Sequence, residues 1–181
     1  LAALTAAVAR RGPAWSYAPA ALAALDALTA DAPGLAALGP ALDDVADACA
    51  LTAFDARVVA LALLAEVHPV AHLLVGLLAG DGGAGLPTRA LAVELAGASV
   101  VDPAAHDRFA PGAPLRRAGL LRLVGGATFA TARTGLQPRV VAHLLGRTDA
   151  ADAVRPLLAE PVPADAAGYA DVAAALGAGE P

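Results

Sequence analysis

From Leu1 to about Gly80 the chain is written mainly in Ala and Leu, with polar residues set at helical intervals. The spacing predicts one helix after another. Leu1 to Arg11 forms the first, with Arg10 and Arg11 near its negative C-terminal end. Gly12-Pro13 breaks it, and Trp15 and Tyr17 anchor the connection to the body. Pro19 to about Ala30 places Leu22, Leu25 and Leu28 on a narrow stripe, and Asp31-Ala32-Pro33-Gly34 is a turn cluster. Leu35 to Leu51 reads as a short helix, a break at Gly39-Pro40 and a longer helix, with Leu42, Val45 and Cys49 inward. A helix starting at Thr52 or Ala53 then carries Phe54, Val58, Leu61, Ala62 and Ala65 at a 3.6-residue period. Val59, Leu63 and Leu64 widen that stripe until the helix is apolar on most sides, as a central helix should be. His68 caps its end, and Pro69 opens the next helix with Leu73, Leu74, Leu77 and Leu78 inside.

The period changes in the second half. Gly80 to Gly85 is a flexible loop, and Pro87-Thr88 starts a helix with Leu91, Leu95 and Ala98 on one face, closed by Gly97. Asp102 caps a short helix at Pro103 that leads to Phe109, and Pro114 opens another that Gly119 closes. Leu120 to Val124 then reads as a strand. Gly125-Gly126 is a tight turn, and Thr128, Phe129, Thr131 and Thr134 form a second strand ending at Gly135. Pro138 begins a last helix with Val140, Val141, Leu144 and Leu145 on one stripe, stopped by Gly146. A lone hairpin is marginal in water, so one face must lie on helices. The order defines a mainly α fold: a winged-helix-like part of three helices plus a two-stranded β-hairpin, with an extra N-terminal helical segment. The expected divisions are 1–50 for that segment, packed on the next part, 51–149 for the winged-helix-like domain, and 150–181 for a Pro/Gly-containing linker with a short helix at Asp171 to Leu176.

Composition narrows the class. The 181 residues are 58% hydrophobic but only 3% aromatic, so much of the apolar share is Ala, which favours helix and buries little area. No apolar run reaches ~18 residues, and the best candidate, Val58 to Val75, is broken by Glu66, His68, Pro69 and His72. The expectation is no membrane span and a cytoplasmic location; a single Cys, Cys49, fits a reducing compartment. The chain has no Met, which reads as a fragment trimmed from a longer protein. All twelve basic residues are Arg. Without a Lys the chain cannot hold a P-loop, whose ammonium must reach the β/γ-phosphates.

Candidate chemistry is sparse. His68 and His72 are four apart, but Pro69 intervenes and a structural metal site needs four ligands. Cys49 lies on an apolar stripe and reads as a small core residue rather than a nucleophile. Asp43, Asp44 and Asp47 read as a solvated helix start, since no EF-hand spacing follows. The Gly80–Gly85 loop follows a helix rather than a strand, so it reads as a connector. No catalytic, metal-binding or cofactor-binding residue is assigned, and no cofactor is implied. Arg116, Arg117 and Arg122 cluster near the wing, with Arg133 across the hairpin; these four are the candidate partner-binding residues. Winged helices often insert a helix into the DNA major groove. Here the candidate recognition helix, Pro87 to Gly97, carries only Arg89 as a base and Glu94 against it. A net charge of −5 and a pI near 5.2 argue against nucleic acid, so a DNA-binding regulator-like domain stands as the alternative.

The run LTAFDARVVALALLAEVHP, then LPTRALAVELAG, DRFAPGAPLRRAGLLRLV and TGLQPRVVAHLLG, resembles the winged-helix region preceding the ATPase core in a group of large bacterial AAA-type ATPases. Many of these occur alongside contractile injection systems. The matching positions are Pro87-Thr88, Arg108-Phe109, Pro114-Leu115, Gly119-Leu120-Leu121 and Arg139 to Gly146. The loop before Pro87 departs from the family by being Gly-rich instead of charged. The resemblance implies a non-hydrolysing N-terminal module that recruits a protein partner or substrate, or contacts its own downstream ATPase core and helps arrange the ring. Any oligomer would then form through that core.

Overall fold

The computed structural model describes residues 1–12, 14–31, 35–80 and 85–147. The expected tail, its helix at Asp171 to Leu176, and parts of the turn at Asp31–Gly34 and of the Gly80–Gly85 loop lie outside them. The elements run α1 (Ala2–Arg11), α2 (Ala18–Ala30), α3 (Gly39–Ala48), α4 (Ala53–Val67), α5 (Pro69–Ala79), α6 (Arg89–Leu95), α7 (Pro103–Asp107), α8 (Pro114–Arg117), β1 (Leu121–Val124), β2 (Arg133–Leu136) and α9 (Pro138–Leu144). The described residues are therefore mostly helical, with one two-stranded antiparallel sheet.

Everything is arranged around α4. Its N-terminus is fixed by a reciprocal capping box: the Asp55 backbone N–H donates to Thr52 Oγ1, and the Thr52 N–H donates to Asp55 Oδ2. Val58, Val59, Leu61, Ala62, Leu63 and Ala65 are all buried, so the helix meets protein on nearly every side. It packs on α3, α5, α6 and β2. At His68–Pro69 the chain bends by 113° into α5. His68 serves as the shared cap, its Nδ1 accepting from the Ala71 N–H while Nε2 faces Asp31 at 3.0 Å. Among the described residues no single helix is long and apolar enough to cross a membrane.

The Ala content lets α1, α2 and α5 approach closely. Ala7, Ala21, Ala24 and Ala71 are buried between Leu4, Val8, Leu25, Leu28, Leu74 and Val75. The expected stripes are corrected at three positions. Leu22, Leu73 and Leu145 are 52%, 49% and 49% exposed. In α2 the small residues Ala21 and Ala24 take the inward places, which turns Leu22 out; Leu145 has already left α9 as its C-cap. Trp15 packs partly on the core, with the Arg11 guanidinium 5.7 Å above its ring, whereas Tyr17 is 39% exposed.

The hairpin forms, but not as a tight one. The register pairs Leu121 with Leu136 and Val124 with Arg133, so the connection is residues 125–132. Gly125 and Gly126 both adopt positive φ, +57° and +74°, as their sequence predicts. The strands do not close there; the backbone of Ala132 lies against Gly126, where a Cβ would come within 2.3 Å of the Ala132 nitrogen. Thr128 and Thr131 instead bond to each other in the loop, and β2 ends at Leu136, one residue past the expected Gly135. The preceding chain adds a bridge to the other edge of β2. Thr88 pairs with Arg133, and the Thr134 N–H donates to the Pro87 carbonyl at 2.8 Å.

Candidate interaction surface

Polar contacts tie the wing and the segment before it to the rest of the domain. Asp55 is fully buried and is met by Arg108, whose Nε donates to Oδ1 at 2.9 Å and whose Nη2 also contacts Oδ2. Burial alone would raise the Asp55 pKa. The hydrogen bonds from Arg108 and Thr52, with the Arg108 charge, outweigh it and hold the carboxyl below its usual value. Arg122 on β1 donates from Nε to the Leu136 carbonyl at 2.8 Å and faces Glu66 of α4 at 3.5 Å. Glu66 in turn accepts from the Leu136 backbone N–H. This pair lies across Gly135, where a Cβ would sit 2.9 Å from Glu66 Oε1 and 3.2 Å from Arg122 Nη2. The buried Thr134 hydroxyl donates to the Pro87 carbonyl, and Arg133 Nη1 donates to the Leu86 carbonyl at 3.0 Å.

The hairpin loop is pinned by stacking. Phe129 lies parallel to the His106 ring at 3.7 Å and edge-on to Phe109 at 5.7 Å, and Phe109 is edge-on to Phe54 of α4. The Arg89 guanidinium sits 4.6 Å from the Phe129 centroid, within cation–π range. Its Nη2 reaches the Thr128 carbonyl at 3.4 Å, while its Nε is buried without a partner. Burial and the nearby positive charge of Arg116 both lower the Arg89 pKa.

These contacts separate the four candidate arginines. Arg122 and Arg133 share one face of the hairpin but are engaged in holding it. Arg116 makes one long bond, to the Phe109 carbonyl at 3.5 Å, and Arg117 is exposed at the end of α8. A fifth, Arg139 on α9, lies outside that candidate set. It is exposed, and its Nη2 lies over Gly119, 2.8 Å from where a Cβ would be. The only sequence signal for this approach is Gly119 itself.

A model of the winged helix domain, variant, matches residues 21–158. The chain belongs to this family. No curated protein and no solved structure matches it. Membership in the winged-helix family supports a binding module for nucleic acid or protein and by itself favours neither.

The winged-helix geometry corrects the expected recognition helix. The segment Pro87 to Gly97 contains α6, and four of its seven residues (Leu91, Ala92, Val93, Leu95) are buried against α4, α1 and β2. Its two charges are engaged within the chain: Glu94 pairs with Arg10 at 2.9 Å at the surface, and Arg89 contacts the hairpin loop. The chain between α6 and the wing is α7 and α8, of five and four residues, separated by Pro111-Gly112. His68 and His72, the other noted pair, are held by the cap and by the Ala65 carbonyl respectively, and Cys49 is a half-buried C-cap.

Proposed function

We propose that this winged-helix domain is a non-catalytic docking module for a protein partner. The setting is the one its sequence resembles, the N-terminal region of a bacterial AAA-type ATPase. There it would recruit partner or substrate, or support ring assembly, and would not itself turn over ATP. One observation carries the reading. A helix that reads the major groove presents several side chains along an exposed, continuous stretch. In this chain α6 is buried and the helix following it is broken into two short turns. A rigid, multiply anchored surface of that kind suits protein recognition.

DNA binding is the second reading, and one feature favours it. Residues 85–147 contain eight Arg against Glu94, Asp102 and Asp107, a local formal charge of +5 within a chain of −5. Titration with a random duplex decides between the two. Non-specific binders hold duplex with Kd of roughly 10⁻⁴ to 10⁻⁶ M at physiological salt, and the affinity falls steeply as salt rises. We expect no salt-dependent duplex binding in that range, and association with a separately expressed ATPase core or co-encoded protein. Duplex binding with a steep salt slope, or ATP turnover by the chain itself, would overturn the reading.

A further inference from the structure

Resting on that docking role, we propose that the edge formed by Arg89, Arg116, Arg117 and Arg139 receives an acidic segment of the partner protein, its carboxylates meeting the guanidiniums. Three observations converge. First, the hydrogen bonds of Arg89 and Arg116 are long, 3.4 and 3.5 Å, to the carbonyls of Thr128 and Phe109, and Arg89 also lies over the Phe129 ring. Those residues meet where the Phe109 and Phe129 rings pack. Among the described residues neither arginine pairs with a carboxylate, and the Arg89 Nε is buried with no acceptor. Two like charges gathered without a counter-charge are costly unless something else supplies one.

Second, Arg117 and Arg139 extend the same edge into solvent. Arg117 follows Arg116 at the end of α8, and the Arg139 side chain reaches across to Gly119, two residues further on. Neither has a hydrogen bond or ion pair among the described residues. Third, three other positive charges of this half are engaged: Arg108 with Asp55, Arg122 with Glu66, and Arg133 with Leu86. Of the exposed cations in residues 85–147, Arg117 and Arg139 adjoin the half-buried Arg116 at this edge, and Arg147 follows α9. A guanidinium fork matches a carboxylate bidentately, which suits a short run of Asp or Glu. The chain outside residues 85–147 carries a formal −10, which opposes a long polyanion more than a short acidic segment.

The test uses the full chain and a fluorescein-labelled ten-residue Glu/Asp peptide, read by anisotropy at about 50 mM salt, where screening is weak. Arg117→Glu and Arg139→Glu are each expected to weaken the peptide about tenfold, equivalent to about 1.4 kcal/mol. Both side chains are exposed, and a Glu in the first turn of α9 suits the helix dipole, so both variants should fold. Leu22→Glu/Leu73→Glu makes the same net charge change at exposed sites on α2 and α5, and should leave binding within about twofold. No peptide binding, or an equal loss in that control, overturns the proposal. A protein partner that binds Arg117→Glu/Arg139→Glu as tightly as wild type overturns it while leaving the docking role intact. Duplex DNA that displaces the peptide from this edge overturns both.

Discussion

The packing of helices α1, α2 and α5 and the docking of the wing rest on different forces. The three helices use close apolar packing, with Leu4, Ala7, Val8, Ala21, Leu25, Leu28, Leu74 and Val75 buried among one another. The wing half carries apolar anchors too, including Leu115, Leu121 and Leu136, but its position is set by directional contacts. Arg108 reaches Asp55, Arg122 and the Leu136 amide reach Glu66, and Thr134 reaches Pro87. Apolar packing tolerates sliding and exchange of side chains of similar volume. Charged hydrogen bonds to a buried carboxylate do not, because a partner left alone keeps the full cost of its lost solvation. A docking surface built on the second kind of contact is held in one geometry.

Removing a charge from the anchored half should therefore cost most. Asp55→Ala takes away a fully buried carboxylate that serves both the capping box and Arg108. We expect a loss of about 4 kcal/mol in urea denaturation, within the range for breaking a buried ion pair. Amide exchange should rise through residues 102–136 as well as at the start of α4. If exchange rose only at the helix start, the directional anchoring of the wing would be wrong.

Leu28→Ala probes the packed half. Its side chain is fully buried between α2 and the core, and the cavity should cost about 3 kcal/mol. Here exchange should rise in α1, α2 and α5 and leave the wing amides protected. A smaller effect is expected at Gly135→Ala. The new methyl would press on Glu66 Oε1 and Arg122 Nη2, which are ends of flexible side chains and can shift. The expected cost is about 1–2 kcal/mol, with loss of the Arg122–Glu66 contact detectable by a double-mutant cycle with Glu66→Gln.

The gentlest probe is pH. Because the folded-state pKa of Asp55 is depressed, its contribution is fully present above the unfolded value, near 3.8, and is lost as pH falls through the folded one. Stability measured by denaturant titration should fall more steeply below about pH 4 in wild type than in Asp55→Asn. Equal slopes would mean that Arg108 does not hold the ionised carboxyl.

Helical periodicity from Leu1 to Ala79 was legible because 3.6-residue spacing, proline starts and the His68-Pro69 break are local facts. The cap at Asp102 and the helix end at His68 needed no knowledge of distant residues. The errors fell where distant contacts compete with local preference. Thr128, Phe129 and Thr131 have strand propensity, yet Phe129 gains a ring on His106 and an edge contact with Phe109 by staying in the loop. Leu22, Leu73 and Leu145 match the inward period, yet neighbouring elements left those angles uncovered.

The candidate surface divides in the same way. Arg116 and Arg117 stand beside each other in the sequence, and their common neighbourhood was readable. That Arg122 and Arg133 are tied to Glu66 and Leu86, and that Arg139 joins the exposed edge, could not be read, because these contacts link residues 20 to 56 positions apart. By itself, then, the sequence determined the helices, their caps and the existence of a wing, since each depends on a few adjacent residues. Tertiary structure alone decided which charges remain open to a partner, since a guanidinium is committed or free according to what the folded chain brings within hydrogen-bond reach.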